Sequence, residues 1–150
     1  RCIYTLLGRP DRTAVVVRAA QTLFTNAPNG VTGNDDLGTM SAWYLLGGVG
    51  LYQGMPGTGE LLVGTPRFEQ VEIDLNEGRT LRINAPGATG ERVQYVSGAR
   101  WNGQAFDRVW LDWDQLKAGG RIDLRLTDKA DRTQWGQGEE ATPSATCRAG

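Results

Sequence analysis

The arrangement of hydrophobic and polar positions along the chain changes near residue 57. Before that point, apolar residues form runs at positions 2–7 and 14–24 without strict alternation. Runs of this kind favour helices over strands. Gly8 after the first run and Pro10 before the second fit a helix end and a helix start. Two helices are therefore predicted in the first part of the chain.

A third apolar run, at positions 37–52, is also predicted to form a helix. Its apolar residues would lie on all sides of that helix, which predicts a buried element. Gly47, Gly48 and Gly50 interrupt the run, and each costs a helix about 1 kcal/mol relative to Ala. Glycines at these positions indicate that another helix or a bound ligand comes close.

From residue 60 onward the pattern has a period of two. Apolar residues alternate with Glu72 and Asp74 in one segment, and the segments 80–84 and 122–126 also alternate. Such alternation is typical of strands with one buried face. Asn76-Glu77-Gly78 and Asn102-Gly103 predict hairpin turns between strands.

These patterns together predict an α+β fold. The N-terminal helices are followed by an antiparallel β-sandwich-like region, because short alternating strands are separated by frequent turns. We predict three segments: helices over 1–56, an antiparallel β region over 57–136, and a polar tail over 137–150.

Two carboxylates lie directly before the third predicted helix. The loop there reads Gly33-Asn34-Asp35-Asp36-Leu37-Gly38. A helix N-terminus stabilises negative charge, so a carboxylate there stays ionised, as a general base or a calcium ligand must be. The alternative is that Asp36 or Asn34 only caps the helix. The acidic spacing does not fit a calcium loop of the EF-hand kind.

Composition narrows the chemistry further. The chain has 150 residues, a net charge of −1 and no His. Near-neutral charge gives no basic surface for nucleic acid or anionic lipid. The absence of His removes the usual general base near neutral pH, so acid–base chemistry falls to carboxylates.

The chain ends and the remaining side chains leave several questions open. Cys2 and Cys147 lie at opposite ends, and the sequence does not decide whether they form a disulfide. No signal peptide or transmembrane run is visible, and we interpret the apolar start without Met as that of a fragment. Two interpretations of the tryptophans are possible: they form sugar-stacking platforms, or they occupy core and rim positions, and we favour the second. The residues concerned are Trp101, Trp110, Trp113 and Trp135.

The acidic loop and its surroundings resemble the C-terminal region of glycoside hydrolase family 92. The resemblance is carried by the long motif Gly33-Asn34-Asp35-Asp36-Leu37-Gly38-Thr39-Met40-Ser41-Ala42-Trp43-Tyr44, and then by Gly50-Leu51-Tyr52 and Pro56-Gly57. It continues through Gly8-Arg9-Pro10-Asp11-Arg12-Thr13, Gly64-Thr65-Pro66-Arg67-Phe68, Trp101-Asn102-Gly103 and Gly119-Gly120. The match extends to about residue 136.

This resemblance implies an exo-acting, calcium-dependent α-mannosidase that inverts the anomeric centre, with α-1,2 links preferred by many members. The helices would then be the last part of an (α/α)6 toroid. Asp36 matches the family's general base, and Asp35 would assist it or orient water. Both carboxylates would reach Ca²⁺ only indirectly or through water, while Asn34 and Gly33 would contact substrate. Asn34 stands where some members carry a further Asp, so a base shared between two carboxylates is in doubt.

The resemblance also implies what lies outside this chain. The family's general acid is a Glu upstream of Arg1, as is the segment that supplies most calcium contacts. We therefore expect the chain alone to be inactive, and its partners to be mannose-containing glycans and the remainder of the same enzyme. A secreted or periplasmic location is implied by the family. The alternative is a non-catalytic β-sandwich module that binds carbohydrate or has a structural role.

Overall fold

The computed structural model of the protein describes residues 3–130, 134–137 and 141. Four α-helices are present in this part of the chain: α1 Ile3–Leu6, α2 Pro10–Gln21, α3 Thr39–Val49 and α4 Trp113–Lys117. Eight strands are present: β1 Leu51–Gln53, β2 Glu60–Val63, β3 Gln70–Asp74, β4 Thr80–Asn84, β5 Tyr95–Trp101, β6 Gln104–Phe106, β7 Trp110–Asp112 and β8 Gly120–Thr127. Cys2 and Cys147 lie outside the described residues.

The strands form two sheets, and the predicted α+β class is confirmed. The smaller sheet has the order β1-β2-β7 and is antiparallel. The larger sheet has the order β3-β4-β8-β5-β6. Its pairs are antiparallel except that of β4 with β8, which is parallel and aligns Ile83 with Ile122. The larger sheet is therefore mixed, a detail that alternation alone does not reveal.

The two sheets share one apolar core, as a sandwich does. Leu51, Val63 and Leu111 contribute to it from the smaller sheet. Ile83 and Ile122 contribute from the larger sheet and are almost completely buried. The period-two pattern produces this layer because alternate side chains on each strand point to the same face.

The other face of the smaller sheet carries a second apolar cluster that faces the helices. Tyr52 and Leu62, paired across β1 and β2, pack there against Val17 of α2. Trp43 of α3 and Trp110 of β7 flank this cluster. The smaller sheet thus lies between the helical part and the larger sheet and packs against both.

The segment limits 1–56, 57–136 and 137–150 stay a prediction. The hydrogen bonding of the smaller sheet crosses the first limit, because Leu51 of β1 pairs with Val63 of β2. Two residues near the third segment pack on the core: the Trp135 indole N–H donates to the Phe106 carbonyl at 3.0 Å, and the Ala141 carbonyl accepts from Val109 at 2.9 Å.

The predicted third helix is wrong in its limits and in its burial. It begins at Thr39 and ends at Val49, because Gly50 adopts the left-handed conformation that closes a helix. The residues after Gly50 pair as β1 instead. Only Gly47 and Gly48 of α3 are buried, and Leu45 is 64% exposed. The apolar surface of α3 is only partly covered: the rings of Trp43 and Tyr44 pack against the Phe24 ring, with centroids 5.9 and 4.7 Å apart.

The expectation that glycines in α3 permit close contact is confirmed. A Cβ atom at Gly47 would lie 3.2 Å from the amide nitrogen of Gln21, a residue of α2. A Cβ atom at Gly48 would lie 3.7 Å from the Arg67 side chain. The predicted hairpin turns are confirmed as well, with positive φ at Glu77, Gly78, Asn102 and Gly103.

We predict that Gly50→Ala destabilises the protein much more than Gly57→Ala. Both glycines have a φ near +86°, at +87° and +85°. The left-handed conformation costs an L-residue ~1–2 kcal/mol at either site. At Gly50 the added Cβ would also lie 3.0 Å from backbone atoms of Gly64 and Pro66, whereas nothing lies within 4 Å at Gly57. Overpacking of this kind adds ~1–3 kcal/mol, measurable by urea unfolding. Equal losses for the two variants would contradict the crowding at the α3–β1 junction.

We also predict a loss of stability in acid that depends on the Arg9–Asp11 pair. Arg9 donates to both carboxylate oxygens of Asp11, at 2.9 and 2.7 Å. These hydrogen bonds hold the pKa of Asp11 below its ordinary value of 3.8. A lowered folded-state pKa stabilises the protein above the unfolded pKa, and this contribution is lost as the pH falls below about 3.8. Thermal unfolding between pH 6 and pH 2 should show a smaller acid-dependent loss for Asp11→Asn than for the unchanged protein.

Candidate active site

The acidic loop before α3 is held in a left-handed turn. Asp36, Leu37 and Gly38 have consecutive φ values of 47°, 58° and 88°. This conformation costs a non-glycine L-residue ~1–2 kcal/mol. The turn is closed by local hydrogen bonds: the Asp36 carbonyl accepts from the Thr39 hydroxyl at 2.7 Å, and the Asp35 carbonyl accepts from the Met40 N–H at 3.1 Å.

Asp35 is the residue whose side chain caps α3. Its Oδ1 atom accepts from both the backbone N–H and the hydroxyl of Ser41, each at 2.9 Å. The Ser41 N–H is one of the amides at a helix start that have no partner within the helix. The capping alternative drawn from the sequence is therefore correct in kind but assigned to the wrong residues, Asp36 and Asn34.

Asp36 differs from Asp35 because no described contact fixes the position of its carboxylate. Within the described part of the chain, no hydrogen bond or ion pair engages the Asp36 side chain, and the residue is exposed. It lies three residues before Thr39, the first residue of α3, near the end of the helix where the dipole favours an anion. The structure thus gives the two adjacent carboxylates separate surroundings, one fixed and one available.

The two other predicted site residues share this loop. Asn34 and Gly33 are exposed and precede Asp35 directly. Gly33 has a φ of +71°, which suits glycine and turns the chain into the acidic segment. Sequence reasoning missed Ser41, although a serine in the first turn of a helix that follows an acidic loop is a recognisable capping partner.

The described residues do not by themselves form a calcium site. Ca²⁺ takes six to eight oxygen ligands. In the ranges that the structure describes, no three Asp, Glu, His or Cys side chains come together in a way that could hold a metal ion. One oxygen of Asp35 is already engaged by Ser41. No chemical step is therefore assigned to calcium on this chain.

The tryptophans lie mostly where a core would place them. Trp135 is 4% exposed, and Trp101 and Trp110 pack against the core in partly buried positions. Trp113 is 52% exposed and is the only one of these four residues that is largely exposed. A sugar-stacking platform built from these four residues is therefore not formed in this part of the chain.

Comparison with known proteins assigns the chain to a family. The model of the glycosyl hydrolase family 92 catalytic domain matches residues 2–128. The chain belongs to glycosyl hydrolase family 92. The resemblance drawn from the motif between Gly33 and Tyr44 is thereby confirmed.

Individual relatives agree with this assignment. An uncharacterised secreted glycosidase of Arthroderma benhamiae is 29% identical over 148 residues, which covers 94% of this chain and 18% of that protein. A family GH92 α-mannosidase of Bacteroides thetaiotaomicron has a TM-score of 0.83 and 26% identity, over 94% of this chain and 19% of its own. A GH92 inverting mannosidase of the same organism has a TM-score of 0.83 and 32% identity, over 93% of this chain and 19% of its own. The chain thus spans about a fifth of the length of these relatives.

We predict effects of different size on stability when the two carboxylates are changed separately. Asp35→Asn weakens the acceptor for two Ser41 donors and should cost ~0.5–1 kcal/mol, in the range of a lost helix cap. Asp36→Asn removes no described hydrogen bond and should change stability by less than ~0.5 kcal/mol, as for other exposed positions. Urea unfolding of both variants measures the difference. A larger loss for Asp36→Asn would overturn the separate surroundings described above.

Proposed function

We propose that this chain is part of an exo-α-mannosidase that hydrolyses terminal α-linked mannose, in particular α-1,2 links, with inversion. Asp36 is its general base. The observation that carries this assignment is the untied, exposed carboxylate of Asp36 beside a carboxylate that is fixed by Ser41. Membership of family 92 supports the reaction class, and the likeness to an inverting mannosidase of family GH92 supports the stereochemistry.

Inversion needs a base that can reach a water molecule. In an inverting glycosidase one carboxyl group protonates the leaving oxygen, and a carboxylate on the opposite face of the sugar removes a proton from the attacking water. A base must have a free lone pair within hydrogen-bond reach of that water. The Asp36 carboxylate meets this condition because no described partner occupies it.

Asp35 has a different role in this proposal. One of its oxygens is engaged by Ser41, so it holds the loop against the first turn of α3. It orients the neighbouring carboxylate and the water rather than removing the proton. Asn34 and Gly33, exposed on the same loop, contact the mannose, and the general acid lies outside this chain.

The remainder of the enzyme is the proposed partner of the helical surface. Leu23 and Leu45 are 61% and 64% exposed, and Leu37 in the acidic loop is fully exposed. Large exposed apolar side chains on the helical part favour a contact with another protein surface. We assign that contact to the part of the family 92 protein that this chain does not include. That part would then lie beside the Asp36 loop and form the other side of the active site.

Calcium and cellular location belong to the same proposal. Asp35 and Asp36 contact Ca²⁺ only indirectly or through water, and the residues that bind the ion directly lie outside this chain. A secreted or periplasmic location is supported by the description of the Arthroderma relative as secreted. Among the described helices, none is long and apolar enough to cross a membrane.

We predict that Asp36→Asn in the intact enzyme lowers kcat on an α-1,2-mannobiose by about 10²–10⁴-fold, the usual contribution of a general base. Binding of mannose should stay within a few-fold, because an amide keeps the shape and one acceptor. Asp114→Asn is the matched control, since Asp114 is an exposed aspartate that pairs only with Lys117 at 2.6 Å. Turnover of the Asp36 variant at the control's rate would remove Asp36 as the base while leaving the family assignment intact.

A further inference from the structure

Two arginines from different parts of the fold meet at one loop. Arg18 of α2 donates to the Thr89 carbonyl at 3.2 Å and to the Gly90 carbonyl at 3.3 Å. Arg67, between β2 and β3, comes so close to the same loop that a Cβ atom on Gly90 would lie 2.8 Å from its Nη2 atom. The two guanidinium groups therefore flank Gly90 from two sides.

Neither of these charges is neutralised by an acidic side chain in the described part of the chain. Arg18 is 9% exposed, and its other contact is the neutral Gln21 side chain at 3.2 Å. Arg67 donates to the Tyr44 hydroxyl at 3.3 Å and lies over the Tyr44 ring. Burial, together with the positive charge of Arg67, lowers the pKa of Arg18. A buried cation without a counter-charge is costly unless an anion accompanies it.

A narrow cavity adjoins Arg18 and is lined largely by polar groups. Arg18, Gln21, Tyr52, Thr65 and Gln94 contribute to its wall, with two apolar residues, and no Asp or Glu is among them. The side-chain nitrogen of Gln21 is buried and has no hydrogen-bond partner among the residues that the structure describes. Gln21 itself is 3% exposed, so this donor is available only to something inside the protein.

We propose that this cavity binds a single small inorganic anion of the size of chloride. The donors are the guanidinium of Arg18 and the amide nitrogen of Gln21. Arg67 does not line the cavity, but it adds a second positive charge beside the Gly90 loop that Arg18 contacts. The cavity has room for about one water-sized sphere, which excludes a phosphate, a sulfate or a sugar. The bound anion neutralises the charge at the contact among α2, the Gly90 loop and the segment after β2.

The cavity is also large enough for a water molecule. A water molecule and a chloride-sized anion differ in charge, and this difference favours the anion. A water molecule would satisfy the Gln21 donor but would leave two nearby positive charges uncompensated. An anion satisfies the donor and lowers the repulsion between the two guanidinium groups. This inference does not rest on the proposed mannosidase activity, because none of its residues belongs to the acidic loop.

The test is the chloride dependence of thermal unfolding of the intact protein at constant ionic strength, with gluconate replaced stepwise by chloride. An ion that binds only the folded state raises Tm with its concentration by mass action. We expect Tm to rise with chloride and equally with bromide. Crystals grown in bromide should show an anomalous peak beside Arg18 and Gln21. A Tm that is independent of chloride, or a bromide peak that is absent from this cavity, overturns the proposal.

Two variants and a control make the assignment specific. Arg18→Met should abolish the chloride dependence, and Arg67→Met should weaken the apparent affinity about tenfold or more, the effect of losing one charged partner. Arg67→Met also serves if Arg18→Met does not fold, because Arg67 is less buried. Arg82→Met removes an exposed arginine that pairs with Glu72 at 3.0 Å and should leave the dependence unchanged. An equal change in the Arg82 variant would show a general salt effect and contradict the site.

Discussion

The pairing of β1 with β2 is the constraint on which the remaining architecture depends. It places Leu51 and Val63 on one face of the smaller sheet, and Tyr52 and Leu62 on the other. The first face completes the core with the larger sheet, and the second receives α2. Because β1 directly follows α3, this pairing also fixes where α3 must end. Gly50 makes that junction possible, since a Cβ atom at this position would lie only 3.0 Å from the Gly64 carbonyl oxygen.

Local sequence patterns were sufficient for the elements whose causes are local. The turn at Asn102-Gly103 follows from residues that tolerate positive φ, and the strands of the larger sheet follow from alternation. The limits of α3 were not predictable in this way, because the apolar run continues through Leu51 and Tyr52 without interruption. There, a tertiary contact rather than a local preference decides between helix and strand. The parallel register of β4 with β8 depends on residues about forty positions apart and has no local signal.

The candidate site was predictable as a loop but not as a division of roles. Asp35 and Asp36 are adjacent and chemically identical, so the sequence alone gives no physical reason to separate them. The difference arises from the left-handed turn, which directs one carboxylate to Ser41 and leaves the other without a described partner. The preference for Asp36 as the base comes from the family resemblance and stays a prediction. Arg18 of α2 shows a further limit, because no sequence signal indicates that it is only 9% exposed.

The position of β8 has a consequence for how the chain acquires its structure. β8 is the central strand of the larger sheet, between β4 and β5, yet it is the last strand in the described part of the chain. Parallel pairing over a long sequence separation forms slowly, because the entropy of loop closure must be met before the contacts form. During synthesis β4 and β5 are complete before β8, so each keeps an unpaired edge until residue 127 is available. An unpaired strand edge can pair with another chain, so the interval before β8 inserts is the step at which this sheet is most prone to aggregation.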